Sequence, residues 1–479
     1  MYAADDASRN GRNRRKGCIA VVGAGWAGCA AAVELTRRGY EVHLLESSRI
    51  LGGRARCLRS HGPTARVGAR SSLAEAAPEP AEDWESALDN GQHILLGAYS
   101  QSLRLMREVG VNLRDSFLRL PLQMRYPANT GGMNFLTAPL PAPLHLLTAL
   151  LRTRGLGVAD KMALARFTTT VRWMGWRLHQ DCSVAALLEH YDQTARVTAL
   201  LWRPLCLAAL NTSPENASAQ VFLNVLRDSL GARRAAADML IPRVDLSTLF
   251  PTPAATFVQR QGGRVLLGAR VTAVERVGES WRLIHAGSEA TDLYDAVVLA
   301  APEADTSRLL EKFKLELEST ADLDVLTHEP IVTCYLQYDR TLRLPLPFFA
   351  LTDDPTRRHW GQFVFDRGQL DTRQAGLLAV VISAASDAAA LPQDALREAI
   401  SQQLAHNFAQ PTLNNPLRAK VVTEKRATFT CRPGLIRPLT TTGIAGLFRA
   451  GDYVASDYPA TIESAVRSGI AAAENIEAM

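Results

Sequence analysis

The sequence predicts an α/β fold in which one parallel-sheet domain is assembled from discontinuous segments, with a mixed-sheet domain and a helical, apolar region beside it. Three observations lead there. Near the start, CIAVV (18–22), a glycine turn, a helical run over about 26–38 and EVHLLE (41–46) spell strand, turn, helix, strand, the parallel crossover unit of doubly wound sheets. Strand-like runs return over 264–300, and GLFRAGDYV with TIESAVRSGIAAAENI closes the chain as strand, loop and helix. Between these pieces, from about 94 to 262, tryptophans and leucines recur at helical spacing.

Taken in order, residues 1–17 are polar, lack the apolar stretch of a secretory signal and read as a disordered leader. Residues 18–59 open the parallel-sheet domain. Residues 60–87 are rich in Ala, Pro, Glu, Gly and Ser without a period, the pattern of a flexible surface insertion. Residues 88–262 form the mostly helical region, and 263–310 return to the first domain as its middle part. Over 311–430, the runs IVTCYLQY, FVFDR and LLAVVISAA, a helix near 392–408 and a strand near 417–427 make the mixed-sheet domain. Residues 431–479 complete the first domain.

Composition narrows the function. Hydrophobic residues at 47% and charged residues at 21% are an ordinary globular balance, so the chain can bury a large core. A net charge of +5 fits a soluble enzyme or one resting on an anionic membrane surface. No basic block interleaved with aromatics points to nucleic acid. The seven cysteines are scattered, odd in number and without a CxxC pair; this argues against a disulfide framework or a metal site and fits a cytoplasmic protein with reduced thiols. No run approaches the roughly 18 apolar residues of a membrane-spanning helix.

GAGWAG sets Gly23, Gly25 and Gly28 in GxGxxG register between strand and helix, with Trp26 and Ala27 at the helix start. The first glycine permits the tight turn, the second lets backbone approach a pyrophosphate, and the third lets helix and strand pack closely. The helix N-terminus offers free N–H groups to phosphate. Glu46 ends the second strand, where an acid accepts hydrogen bonds from a ribose. Glycines alone would also fit a structural turn; strands, helix and acid together indicate a dinucleotide. LGGRAR (51–56), with Gly53 and Arg54, then resembles the FAD-binding signature shared by amine oxidases, protoporphyrinogen oxidases and carotenoid desaturases. The closing segment resembles the end of the same superfamily. That resemblance implies a Rossmann-like FAD-binding domain in which Gly451 and Asp452 approach the cofactor, the backbone around Ile462 faces the flavin, and Val271 pairs with adenine.

Within that superfamily the chain is similar to the hydroxysqualene dehydroxylase branch. The likeness rests on DNGQH (89–93), LWRPLCLAALNTSPENASA (201–219), DMLIPRVDLSTLF (238–250), EKRATF (424–429) and the two FAD ends. It implies a C30 isoprenoid alcohol, hydroxysqualene, as substrate, squalene as product and a place on the route to hopanoids. On that reading Asp89 and His93 are the candidate acids for the leaving hydroxyl, and histidine titrates near neutrality without a large shift. An unidentified electron donor is implied as well. Asp89 or Asn90 capping the following helix is the structural alternative. Trp173, Trp176 and Trp202 are candidates to line an apolar tunnel or to be ordinary core. The apolar, proline-broken run 133–157, with Arg152 and Arg154, suits peripheral contact at the inner face of the cell membrane. Rival readings are a carotenoid-type desaturase or oxidase, and a non-catalytic lipid-binding protein that retains flavin.

Overall fold

The runs CIAVV, EVHLLE, RVLL, AVVL and LFR form a five-stranded parallel sheet in the order Leu447–Arg449, Ala296–Leu299, Cys18–Val22, Glu41–Glu46, Arg264–Leu267. Three stretches of chain far apart in sequence therefore build one sheet. This computed structural model describes residues 16–58, 88–141, 144–285, 292–317 and 326–479. The insertion expected over 60–87, and the leader apart from Lys16 and Gly17, lie outside those residues.

Both faces of the sheet are covered, which is why its central strands read as continuous apolar runs rather than alternating ones. Ile19, Val21, Leu44, Val298 and Phe448 face the first helix, Trp26–Arg37, and the closing helix, Ile462–Glu477. Ala20, Val22, Leu45, Val297 and Leu299 face a small antiparallel sheet carrying Trp281 and the helix Glu303–Leu310. The first and closing helices cross at small residues. A Cβ on Gly469 would lie 2.2 Å from the Ala27 carbonyl oxygen, so only glycine lets them approach this closely.

The second sheet orders its strands Phe348–Ala350, Phe363–Asp366, Leu377–Ile382, His328–Gln337, Arg418–Phe429. Where a mixed sheet was expected, every neighbouring pair is antiparallel. Most of its connections are irregular segments too short to carry a crossover helix, so successive strands return beside one another. One face, with Val332, Cys334, Leu336, Val364 and Val380, packs on the helix Gln393–Phe408. The other, with Tyr335, Phe348, Phe363, Phe365 and Val381, faces the helical region.

That region stacks Leu144–Arg152, Val158–Trp173, Arg203–Leu210 and Ala219–Ser229 around Phe167, Trp202 and Phe222, with short strands such as Gln123–Arg125 and Asn134–Leu136 between helices. Met133 and Phe135, within the apolar run 133–157, are core residues, whereas Leu144, Leu147 and Leu151 further along it are exposed. Leu144, Leu147 and Leu151 share one helix face by spacing. Among the described residues no helix is long and apolar enough to cross a membrane.

Candidate active site

The glycine turn after Cys18–Val22 owes its shape to two contacts. Gly23 has φ +103, and a Cβ there would lie 2.5 Å from the Ala300 carbonyl oxygen; on Gly28 it would lie 1.8 Å from the Gly23 carbonyl oxygen. At Gly25 the situation is opposite: the nearest atom to a Cβ is the Gly53 Cα at 3.8 Å, leaving room above the helix start. The helix Trp26–Arg37 begins there with no side-chain cap and no acid in its first turn. Its first N–H groups thus face the cleft with no side-chain acceptor from the helix itself, an arrangement that suits a phosphate. Glu46 accepts the N–H of Ala24 at 2.7 Å and of Ser48 at 2.8 Å, which fixes a carboxylate at the strand end, the place expected for an acid that accepts from a ribose.

The second glycine loop lies against the first. Gly52 donates its N–H to the Ala24 carbonyl at 2.9 Å, and Gly25 and Gly52 form an isolated bridge. Arg54 then ties distant pieces together: its guanidinium donates to the carbonyls of Ala427 (3.0 Å) and Arg426 (3.3 Å) and pairs with Asp452. Trp26 closes the corner, its indole N–H donating to the Ala55 carbonyl at 2.9 Å.

A cavity of about 530 Å³ runs past all these groups. Its lining includes Gly23, Gly25, Trp26, Ala27, Glu46, Gly53 and Arg54; Val271 lies at the nucleotide end, Gly451, Asp452 and Ile462 further along. Gly28 does not line it; it acts through close packing instead. The closing helix presents its N-terminus to the cavity, capped by Thr461, whose hydroxyl accepts the Ser464 N–H at 3.2 Å. A paired glycine turn, an uncapped helix start, a ribose-facing acid and a second helix N-terminus along one cleft fit a dinucleotide with an electron-accepting ring at its far end.

The polar run before the helix Ser100–Glu108 sits beside that far end. Leu58 donates its N–H to the Leu88 carbonyl at 2.8 Å, and Cys57 and Asp89 form an antiparallel bridge, so the chain returns next to where it left. Asp89 is 4% exposed and does not line the cavity. Its carboxylate accepts the N–H of Leu246 at 3.0 Å, its carbonyl accepts the Tyr335 hydroxyl at 3.0 Å, and burial pushes its pKa up to about 7 against the opposing pull of Arg367. Asn90 exchanges hydrogen bonds with Arg56 at 2.9 and 3.4 Å. Gln92 accepts from the buried guanidinium of Arg367 at 2.9 Å.

His93 lines the cavity, and its Nδ1 stands 2.9 Å from the Gly91 carbonyl oxygen. A carbonyl only accepts, so Nδ1 carries the proton and Nε2 holds the lone pair. Burial holds the imidazole pKa below its ordinary value, so the neutral ring dominates at neutral pH.

The cavity is also lined by the apolar Ile94, Ala208, Ile331, Phe363, Phe365 and Val381, together with the polar Asn211, Ser383 and Thr428. Of the tryptophans read as tunnel lining or ordinary core, none lines this cavity. Trp202 is core, packed on Phe167 at 4.9 Å with its N–H donated to Gln193 at 2.9 Å; Trp173 is 90% exposed; Trp176 packs at the core's edge. Helical spacing marks one side of a helix but cannot tell whether core or cavity lies there.

Several residues of the site escaped the sequence reading. Asn211, in the left-handed region at φ +46, donates to Glu329 and Thr428 at 3.0 Å each and accepts the Ala384 N–H at 2.6 Å. An asparagine directly after an apolar helical run was the signal for it. Phe363 and Phe365 were legible as alternating positions of FVFDR, but not the face they share.

Residues 26–477 match the family described as flavin containing amine oxidoreductase. The chain belongs to that family and is an oxidoreductase with FAD as its cofactor. It is similar to the hydroxysqualene dehydroxylase of Rhodopseudomonas palustris, 28% identical over 95% of this chain and 97% of that one. It is also similar to the 15-cis-phytoene desaturase of Narcissus pseudonarcissus, 25% identical over 96% of this chain and 79% of that one. Among solved structures, cyclohexylamine oxidase from Brevibacterium oxydans superposes with a TM-score of 0.62 at 16% identity, covering 96% of this chain and 98% of that one. At that identity the superposition establishes the fold alone.

Proposed function

We propose that the protein reduces hydroxysqualene to squalene as an FAD-dependent dehydroxylase. The observation that carries this reading is an apolar chamber, continuous with the FAD cleft, into which His93 presents a single open ring nitrogen. Similarity to hydroxysqualene dehydroxylase over nearly the whole chain supports it.

Bound flavin supplies hydride chemistry. The protein holds an allylic C–O bond in a dry pocket, where C–O cleavage and C–H formation need one proton to release the oxygen as water. His93 is the candidate donor in its imidazolium form, whose proton sits on Nε2. Asp89 is a positioning residue in this scheme: it anchors the loop to the helix Leu246–Leu249 and reaches the chamber only through its neighbours. An electron donor, still to be identified, restores reduced flavin after each turnover.

A substrate this insoluble reaches the enzyme from a membrane. Leu144, Leu147 and Leu151 on one helix and Val158, Met162 and Trp173 on the next are exposed apolar side chains, and Arg152, Arg154 and Arg166 in the same stretch of chain are exposed too. We read this stretch as lying on the anionic inner surface of the cell membrane, apolar side chains among acyl chains and arginines among headgroups.

A second reading, isoprenoid desaturation, is favoured by one feature. A neutral His93 with an open lone pair suits proton removal better than donation. The test is an anaerobic single turnover in which reduced holoenzyme meets hydroxysqualene in detergent, with flavin absorbance and extracted lipid followed together. Reoxidation matched by squalene supports dehydroxylation. Flavin that stays reduced over unchanged alcohol overturns it. Polyenes offered to oxidised enzyme then separate a desaturase from a non-catalytic lipid binder.

A further inference from the structure

The first turn of the closing helix contains an acid where an acid is out of place. This helix aims its N-terminus into the FAD cleft, and a helix N-terminus near the flavin pyrimidine stabilises the negative charge that reduction adds. Glu463, its second residue, is fully buried and would cancel that effect. Its carboxylate is engaged elsewhere. One oxygen accepts the Gln101 N–H at 3.1 Å and the Arg467 guanidinium at 2.8 Å; the other accepts the N–H and hydroxyl of Ser102 at 2.9 and 2.7 Å. Gln101 and Ser102 begin the helix Ser100–Glu108, which has no side-chain cap of its own and no acid in its first turn.

We propose that Glu463 is a positioning residue with an electrostatic counterweight. It caps the helix that follows the His93 loop, and Arg467 together with that helix's N-terminus neutralises its charge so that the closing helix keeps a positive end toward the flavin. Tyr99, immediately before the capped helix, lines the cleft, so the same contact sets the loop against the cofactor. Arg467 is itself held in place, its guanidinium 4.6 Å over the Tyr458 ring. This inference needs only FAD in the cleft and holds for any isoprenoid reaction there.

The experiment measures flavin midpoint potentials of holoenzyme by dye-coupled reduction, for the native protein, Arg467→Gln and Glu463→Gln. Arg467→Gln uncovers the carboxylate and shifts the potential to more negative values. Glu463→Gln removes it and shifts the potential to more positive values. A purely structural role moves both variants in the same direction, through loosened packing, so shifts of opposite sign carry the proposal. Equal potentials in native protein and Arg467→Gln overturn it, as do shifts of one sign in both variants. Should Glu463→Gln fail to hold FAD, the half-exposed Arg467 position still decides the question, read with its FAD content and melting temperature unchanged.

Discussion

Asp89 offers the sharpest quantitative test, because its carboxyl is buried yet not fully neutralised. Its pKa moves from an ordinary 3.8 to about 7, through burial first, with Arg367 and the Leu246 N–H opposing. The folded chain therefore holds this proton more tightly than the unfolded chain. Below the unfolded value both states are protonated and Asp89 costs nothing. As pH rises above it, the unfolded chain ionises first and stability falls, until the folded pKa is passed. Raising the pKa from 3.8 to about 7 is worth about 4 kcal/mol in full, of which about 2–3 kcal/mol develops between about pH 5 and pH 8. Asn in place of Asp89 keeps an oxygen for the Leu246 N–H but cannot ionise, so the variant loses this slope. Urea unfolding of native protein and Asp89→Asn at both pH values should show the stability difference moving by about 2–3 kcal/mol in favour of the variant at the higher pH. A difference that stays constant with pH would mean that Asp89 keeps one protonation state throughout and that the burial argument is mistaken.

Gly28→Ala places a methyl 1.8 Å from the Gly23 carbonyl oxygen, so helix and strand must part; the purified protein should be colourless, and flavin absorbance near one FAD per chain would refute this. Asn211→Ala removes three hydrogen bonds and leaves alanine in a left-handed conformation, a loss of about 3–5 kcal/mol measurable from the urea midpoint. Trp173→Glu with Leu147→Glu should weaken sedimentation with anionic vesicles at least about tenfold, given about 1.5–3 kcal/mol for each large apolar side chain buried, while turnover in detergent stays unchanged. For His93, whose pKa burial lowers, single-turnover rates should rise as pH falls if the imidazolium donates to the leaving hydroxyl; a fall instead would favour proton removal and desaturation.

The nucleotide end of the fold was legible because its signals are local. GAGWAG, Glu46 and GGR each carry their chemistry in a few neighbouring residues, and the parallel sheet followed from runs that are apolar on both faces. The far end was legible only in part: Gly451, Asp452, Ile462 and His93 were marked by their motifs and line the cavity, but the contacts that shape it span hundreds of positions. Glu463 capping Ser102 is invisible in SQSLRLMRE, which carries no acid at its start. Asp89 was a candidate proton donor because the resemblance sets DNGQH beside the flavin; only the fold turns its carboxylate to the Leu246 N–H. The sheet direction in the second domain was equally hidden, since a strand's own sequence does not name its neighbour.

Arg54 makes these distant contacts a single equilibrium. Its guanidinium joins the second glycine loop to carbonyls on the strand Arg418–Phe429 and to Asp452 ahead of the closing helix. Three segments from the two sheets thus meet at one charged group beside the cleft. An FAD held by these loops would stabilise their joint arrangement in proportion to the logarithm of its concentration over its dissociation constant. The antiparallel sheet that Arg54 reaches also supplies Phe363, Phe365 and Val381 to the lining of the cavity. Through Arg54, cofactor affinity and the order of that lining should therefore rise and fall together, because the same guanidinium holds the second glycine loop, Asp452 and the strand Arg418–Phe429.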